Sequence, residues 1–175
     1  MRQFAHIVIA AVLVQALIVT AGCASTASNS ADRYPNTVRY SGPPGCSLSH
    51  PTTWTASFFG DTQTLYISSQ PYARITVRED TVTPSPVGLP SDEDMFWILA
   101  AVTNPSSTST GTAVTDGGLS AQVVRTQTLL GDAYFAAMLR DGRKRYTLDV
   151  RGAWGRREEL GKVFDTALAT FAPVE

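Results

Sequence analysis

An almost unbroken apolar run from Phe4 to Val19, closed by Thr20-Ala21-Gly22 against Cys23, sets how much of this chain is left to build a fold. A segment of that length and composition has no polar face to turn toward water, so it has no place in a small aqueous domain. One arginine precedes it, and the small Ala21 and Gly22 suit a processing site, so the segment reads as an address. Removal of residues 1–22 leaves 153 of the 175, enough for one domain with a real core and too few for two. That remainder carries 13 basic and 15 acidic side chains, a net charge of −2. Such a balance points neither to nucleic acid nor to electrostatic adhesion to anionic lipid.

In detail the segment resembles a bacterial lipoprotein signal peptide, in which the cysteine takes a thioether-linked diacylglycerol and everything before it is removed. Thr20 stands where leucine is more usual. The resemblance implies lipidation at Cys23, with palmitate-type acyl chains, and a place on the extracytoplasmic side of the cell membrane. Two or more acyl chains make a stable anchor where one does not. Two other readings stay open: an uncleaved transmembrane anchor, which needs about 20 apolar residues, and an ordinary secretory signal. Ala24 to Asp32 is small and polar, with no basic stop-transfer residue before Arg33, and reads as a flexible tether. The expected organisation is therefore a signal peptide over 1–22, a lipidated cysteine and tether over 23–37, and a single domain over 38–174. With Cys23 acylated, Cys46 is the sole remaining thiol and the core alone must hold the domain; without the lipid, a Cys23–Cys46 bridge stays open.

Within the domain, Gly42-Pro-Pro-Gly45 is a turn, and 46–50 and 54–59 read as short extended segments broken at Pro51. A strand follows at 64–68. Ala73, Ile75 and Val77 alternate with Arg74, Thr76 and Arg78, the pattern of a half-buried antiparallel strand. Pro84, Pro86 and Pro90 mark a connection. Ser91-Asp-Glu-Asp94 then caps a predicted helix whose core stripe is Met95, Ile98, Leu99 and Val102, ended by Asn104-Pro105. The Ser/Thr run after it reads as a polar loop. Asp116-Gly117-Gly118 and Asp141-Gly142 predict two hairpins, the second flanked by the alternating Arg145–Arg151. The run 134–139 is apolar on both faces and reads as a central strand covered on each side, with a short helix as the other option. A last helix is predicted over 157–170, burying Leu160, Val163, Phe164, Ala167, Leu168 and Phe171, with Pro173 beyond it. The expected class is α+β: one antiparallel sheet with helices packed on its faces.

The order of these features resembles the PsbP/Mog1-like superfamily. Pro51-x-x-Trp54 after an opening turn and strand, the helix behind a Pro-rich approach, Asp116-Gly117-Gly118, and Arg145-Tyr-Thr-Leu-Asp-Val-Arg151 leading to a helix that finishes at Phe171 carry the likeness over about residues 38–174. It implies an α/β/α sandwich and, for function, a binding or assembly module without a catalytic centre.

The residue inventory points the same way. His50 is the one histidine outside the leader, and no Gly-x-Ser-x-Gly elbow accompanies it. Cys46 and His50 are four apart, which on a strand separates them by roughly 13 Å. Asp92, Glu93 and Asp94 are explained by helix capping, and no phosphate-binding glycine loop occurs. We therefore expect no enzyme, no cofactor and no metal. From Ala121 onward the chain holds 9 basic and 7 acidic residues, against 4 and 8 from Cys23 to Ser120. Arg143, Lys144 and Arg145 sit in the densest part and, with Trp97 off its helix stripe, form the expected partner or ligand surface. The expected function is a lipid-anchored extracytoplasmic binding or assembly module that meets an envelope protein; the alternative is a binder of a small hydrophobic or lipidic ligand between sheet and helix near Trp97. Nucleic acid is not an expected partner.

Overall fold

Strands dominate wherever apolar and polar residues alternate, and the Asp-Gly and Gly-Gly turns set which strands become neighbours. The computed structural model describes residues 34–69, 72–82 and 107–174. In chain order these form β1 (Thr37–Gly42), β2 (Cys46–Pro51), β3 (Thr55–Phe59), β4 (Thr64–Ser69), β5 (Ala73–Thr81), β6 (Ser109–Val114), β7 (Ser120–Gln127), β8 (Asp132–Asp141), β9 (Lys144–Ala153), the helix α1 (Arg157–Ala169) and β10 (Ala172–Pro173). Short 3-10 turns occupy Gly60–Thr62 and Trp154–Arg156. Seven strands make one antiparallel sheet in the order β3-β4-β5-β9-β8-β7-β6, and β1-β2-β10 make a second, smaller one.

The centre of the large sheet is the hairpin β8–β9, ten residues on each side of Asp141-Gly142, with Gly142 at φ 57° as such a turn requires. Register places Phe135 opposite Val150, Ala137 opposite Leu148 and Leu139 opposite Tyr146 on one face. β5 continues that face with Ile75 and Val77, and β4 with Leu65 and Ile67. Onto it α1 lays Leu160, Phe164, Ala167 and Leu168, all buried, followed by the buried Phe171. Phe164 stacks on Phe135 at 5.9 Å between ring centroids, and Phe171 meets Tyr146 edge-on at 5.1 Å. Gly152 lies at a close approach of helix and sheet. A Cβ built there would sit 2.8 Å from the Tyr72 carbonyl oxygen and 2.9 Å from Leu160 Cδ1.

The small sheet closes the same core. Ala172 and Pro173 pair with Ser47 and Cys46, the Val174 N–H donates to the Gly45 carbonyl at 2.8 Å, and the Ser49 N–H donates to Thr170 Oγ1 at 2.8 Å. Trp54, Cys46 and Leu48 are buried in it.

This is an α+β fold, mostly antiparallel sheet, with one helix among the described residues. Five readings of the sequence change. The single expected sheet is two. Residues 37–42, for which no strand was expected, form β1. Trp54 precedes β3 and does not belong to it, because β2 runs on through Pro51 and the chain turns at Trp54, whose N–H donates to the Pro51 carbonyl. Ser109–Thr112, read as loop, are strand, drawn into register by β7. Pro173 is not merely a stop, since it pairs with Cys46. The helix expected over 91–104, with Trp97, and the signal and tether as far as residue 33, with Cys23, lie outside the described residues.

The close approach at Gly152 is testable. Gly152→Ala forces helix or β5 backbone to shift and is expected to cost about 1–3 kcal/mol, the usual penalty of overpacking, seen as a lower denaturant midpoint at unchanged slope. An unchanged midpoint would contradict this geometry.

Candidate functional site

The basic stretch resolves into separate pairs. Arg143 is exposed in the β8–β9 turn. Lys144 and Arg145 alternate along β9 and so point to opposite faces; Lys144 Nζ lies 3.2 Å from Glu79 Oε1, and Arg145 Nη2 lies 3.1 Å from Asp80 Oδ2. Arg151 donates through Nε and Nη2 to Asp132 Oδ2, at 2.9 and 2.6 Å. Arg156 pairs with Glu159, and Arg157 lies over the Trp154 ring at 5.3 Å. Charge that looks concentrated in the sequence is thus distributed over two faces and largely neutralised by carboxylates from β5, β8 and α1. Arg143, Lys144 and Arg145 do not converge on one surface.

Cys46 and His50 both lie on β2 and are buried. Burial, with Glu79 nearby, pushes the Cys46 thiol up to about 12, which favours its protonated form at neutral pH. Burial lowers the His50 pKa, and its Nδ1 sits 3.0 Å from the Pro51 carbonyl oxygen. Among the described residues no group of three His, Cys, Asp or Glu side chains is placed to hold a metal ion.

The face of the large sheet turned away from α1 holds an acid in an arginine setting. Asp149 stands opposite Thr76 on β5 and Ala136 on β8. Its Oδ2 is buried without a hydrogen-bond partner, and burial raises its pKa against the opposing pull of Thr76, Arg74, Arg78 and Arg151. Tyr134, on the same face, is raised by burial and by the Asp149 charge. On this face Val124, Ala136 and Met138 are also buried.

The most exposed apolar side chains gather at one end of the same sheet. Ala73 pairs with Gly152, Gly152 with Ala133, and Ala133 with Gln127, so Tyr72 and the 128–131 turn project from a common edge. Tyr72 is 91% exposed, Leu129 79% and Leu130 84%. At about 4.8 Å per strand they span roughly 10–15 Å. Tyr72 is held in the left-handed region at φ 45° and Gly131 at φ 86°. Beside Tyr72 opens a cleft of about 560 Å³ lined by Ser68, Ser69, Tyr72, Arg74 and the Asp132–Arg151 pair. Sequence reasoning passed over these three residues. The available signal was Leu129-Leu130 directly before Gly131-Asp132, two leucines where a turn ordinarily carries polar residues.

This α+β domain has a PsbP-like fold. The chain is similar in structure to cyanobacterial PsbP (CyanoP) from Synechocystis sp. PCC 6803, with a TM-score of 0.58 and 14% identity over 88% of this chain and 98% of that one. A Bacteroides thetaiotaomicron crystal structure matches at a TM-score of 0.51 and 11% identity, over 80% of this chain and 49% of that one, so this chain spans about half its length. At these identities the likeness is one of fold. No protein-family model and no curated protein matches the sequence.

The raised Asp149 carboxyl has a stability consequence. A folded-state pKa above the ordinary 3.8 means that the folded protein favours the protonated acid, so ionisation costs stability as pH rises through that raised value. Asp149→Asn is therefore expected to be more stable than the parent at pH 7, with the gain fading as pH falls below 3.8, where the acid is protonated in both states. Denaturant midpoints at the two pH values decide it. A variant less stable than the parent at pH 7 would contradict the assignment.

Proposed function

We propose that this protein is a lipid-anchored, extracytoplasmic binding or assembly module without catalytic activity, and that it meets an envelope protein through the Tyr72, Leu129 and Leu130 end of its large sheet. The observation that carries the reading is the exposure of those three side chains together. Soluble domains scatter single apolar residues over their surface, whereas a row of them beside a charged rim marks a contact. Arg74, Arg151 and Asp132 of the adjoining cleft supply that rim. The lipid on Cys23 is supported by the leader and the Ala21-Gly22-Cys23 junction.

In this reading the architecture is the fuller α/β/α sandwich. Val124, Ala136 and Met138 are buried on the face away from α1, and the Met95, Ile98, Leu99 and Val102 stripe is the apolar surface in the sequence that complements them. The alternative, a small hydrophobic or lipidic ligand between sheet and helix, draws support only from the sequence around Trp97. Between the large sheet and α1 the space is filled by Phe135, Leu148, Leu160 and Phe164.

The experiment is site-specific photo-crosslinking in the full chain in its own membranes, with a benzophenone side chain in place of Leu130 or, as control, Lys162. An adduct with one envelope protein from position 130 and none from 162 is expected. Combining the position-130 probe with Leu129→Asp and Tyr72→Ala is expected to cut the adduct at least tenfold without changing Tm, since each apolar contact of this size is worth about 1.5–3 kcal/mol. Membrane retention should depend on Cys23, so Cys23→Ala is expected to release the protein. An adduct indifferent to the Leu129 and Tyr72 substitutions overturns the assigned surface.

A further inference from the structure

The two outer strands of the large sheet, β3 and β6, differ in how they are finished. β6, Ser109-Thr-Gly-Thr-Ala-Val114, pairs with β7 over all six residues in unbroken register. Among the described residues no hydrogen bond from β6 reaches anything but β7. Five of its six residues are exposed, Val114 at 65%, and nothing lies within 4 Å of the position a Gly111 Cβ would take. The strand carries no lysine, no other charge, no proline and no bulge, which are the devices that ordinarily keep a free edge from pairing. β3 is a residue shorter, lies between the Trp54 turn and the Gly60–Thr62 turn, and has Phe59 packed on Tyr66 at 5.3 Å. In the small sheet, the outer strand β1 carries Arg39, which donates to Ser47 Oγ at 2.6 Å.

We infer that β6 is the pairing edge for a second copy of this chain, joined antiparallel about a two-fold axis through Thr112. That register sets Thr112 against Thr112 of the second copy, Gly111 against Ala113 and Thr110 against Val114. An axis of this kind brings identical side chains together, so it tolerates no like charges on the strand, and β6 has none. A foreign peptide added to a sheet edge is selected by side chains or pockets that read its alternate residues. The serine, threonine, glycine and alanine of β6 offer little for that purpose, whereas they fit one another.

Six-residue edge pairing is small against the roughly 1,000 Å² of a stable interface. Confinement of both copies to one membrane plane raises their effective concentration and makes up the difference. That step alone rests on the lipid anchor proposed above.

Cysteine crosslinking of the full chain in membranes tests the edge. Thr112→Cys is expected to give a covalent dimer with a short bis-maleimide, above the background of the parent chain, and Ser57→Cys on β3 is expected to give none. Adding Thr110→Lys with Val114→Lys opposes like charges twice across the axis and should lower the dimer yield at least fivefold. Thr110→Lys with Val114→Glu places opposite charges in the same positions and should restore it. All these positions are exposed, so the variants fold alike. No dimer from Thr112→Cys, equal yield from Ser57→Cys, or failure of the lysine–glutamate pair to restore crosslinking overturns the inference. A Thr112→Cys dimer in a protein that stays on the membrane after Cys23→Ala upholds the edge and overturns the anchor.

Discussion

The burial of α1 on the β8–β9 hairpin is the interaction on which the rest of the domain depends. Leu160 reaches the sheet only because Gly152 has no side chain, and Phe164 then stacks on Phe135 in the middle of the strands. Full burial of one such ring is worth about 3 kcal/mol, a large share of the 5–15 kcal/mol by which a domain is stable. The position of the helix also decides where the chain ends. Phe171 packs on Tyr146, and the two residues after it pair with β2, so the last strand forms as a consequence of the helix rather than from any strand propensity of its own.

With the core on one face, the remaining surfaces divide the other roles. Ion pairs from β5, β8 and α1 neutralise most of the arginines of the 140–157 stretch, which removes a broad basic field. Among the described residues, what stays uncovered is apolar at one end of the sheet and backbone along one edge. In the small sheet, burial favours the protonated thiol of Cys46, and His50 Nδ1 lies 3.0 Å from the Pro51 carbonyl oxygen. The binding role proposed above rests on those two surfaces.

The sequence made the hairpin at Asp141-Gly142, the alternation of Ala73–Arg78 and the stripe of α1 legible because each is a local pattern matched by local geometry. The order of those elements also carried the likeness to a PsbP-like fold. The hairpin at Asp116-Gly117-Gly118 was legible, and it is β6–β7; β1, the first residues of β6 and β10 were not. β1 has an irregular mix of half-buried and exposed residues, β6 starts in a Ser/Thr run with no apolar period, and β10 is two residues held by tertiary pairing. The basic residues misled for a related reason, since sequence clustering does not reveal that Lys144 and Arg145 leave the strand on opposite faces or that their carboxylates come from β5. The exposed row of Tyr72, Leu129 and Leu130 is brought together by strand register across 50 residues and more, which no local window contains.

Native-state amide hydrogen exchange on the full chain tests the central dependence most directly. If α1 is integral to the core, the amides of Phe164 and Leu168 open with those of Phe135, Leu148 and Val150, at one free energy equal to that of global unfolding. Exchange of the α1 amides at about 2 kcal/mol or more below the β8–β9 amides would show a helix that detaches alone, and would contradict the account.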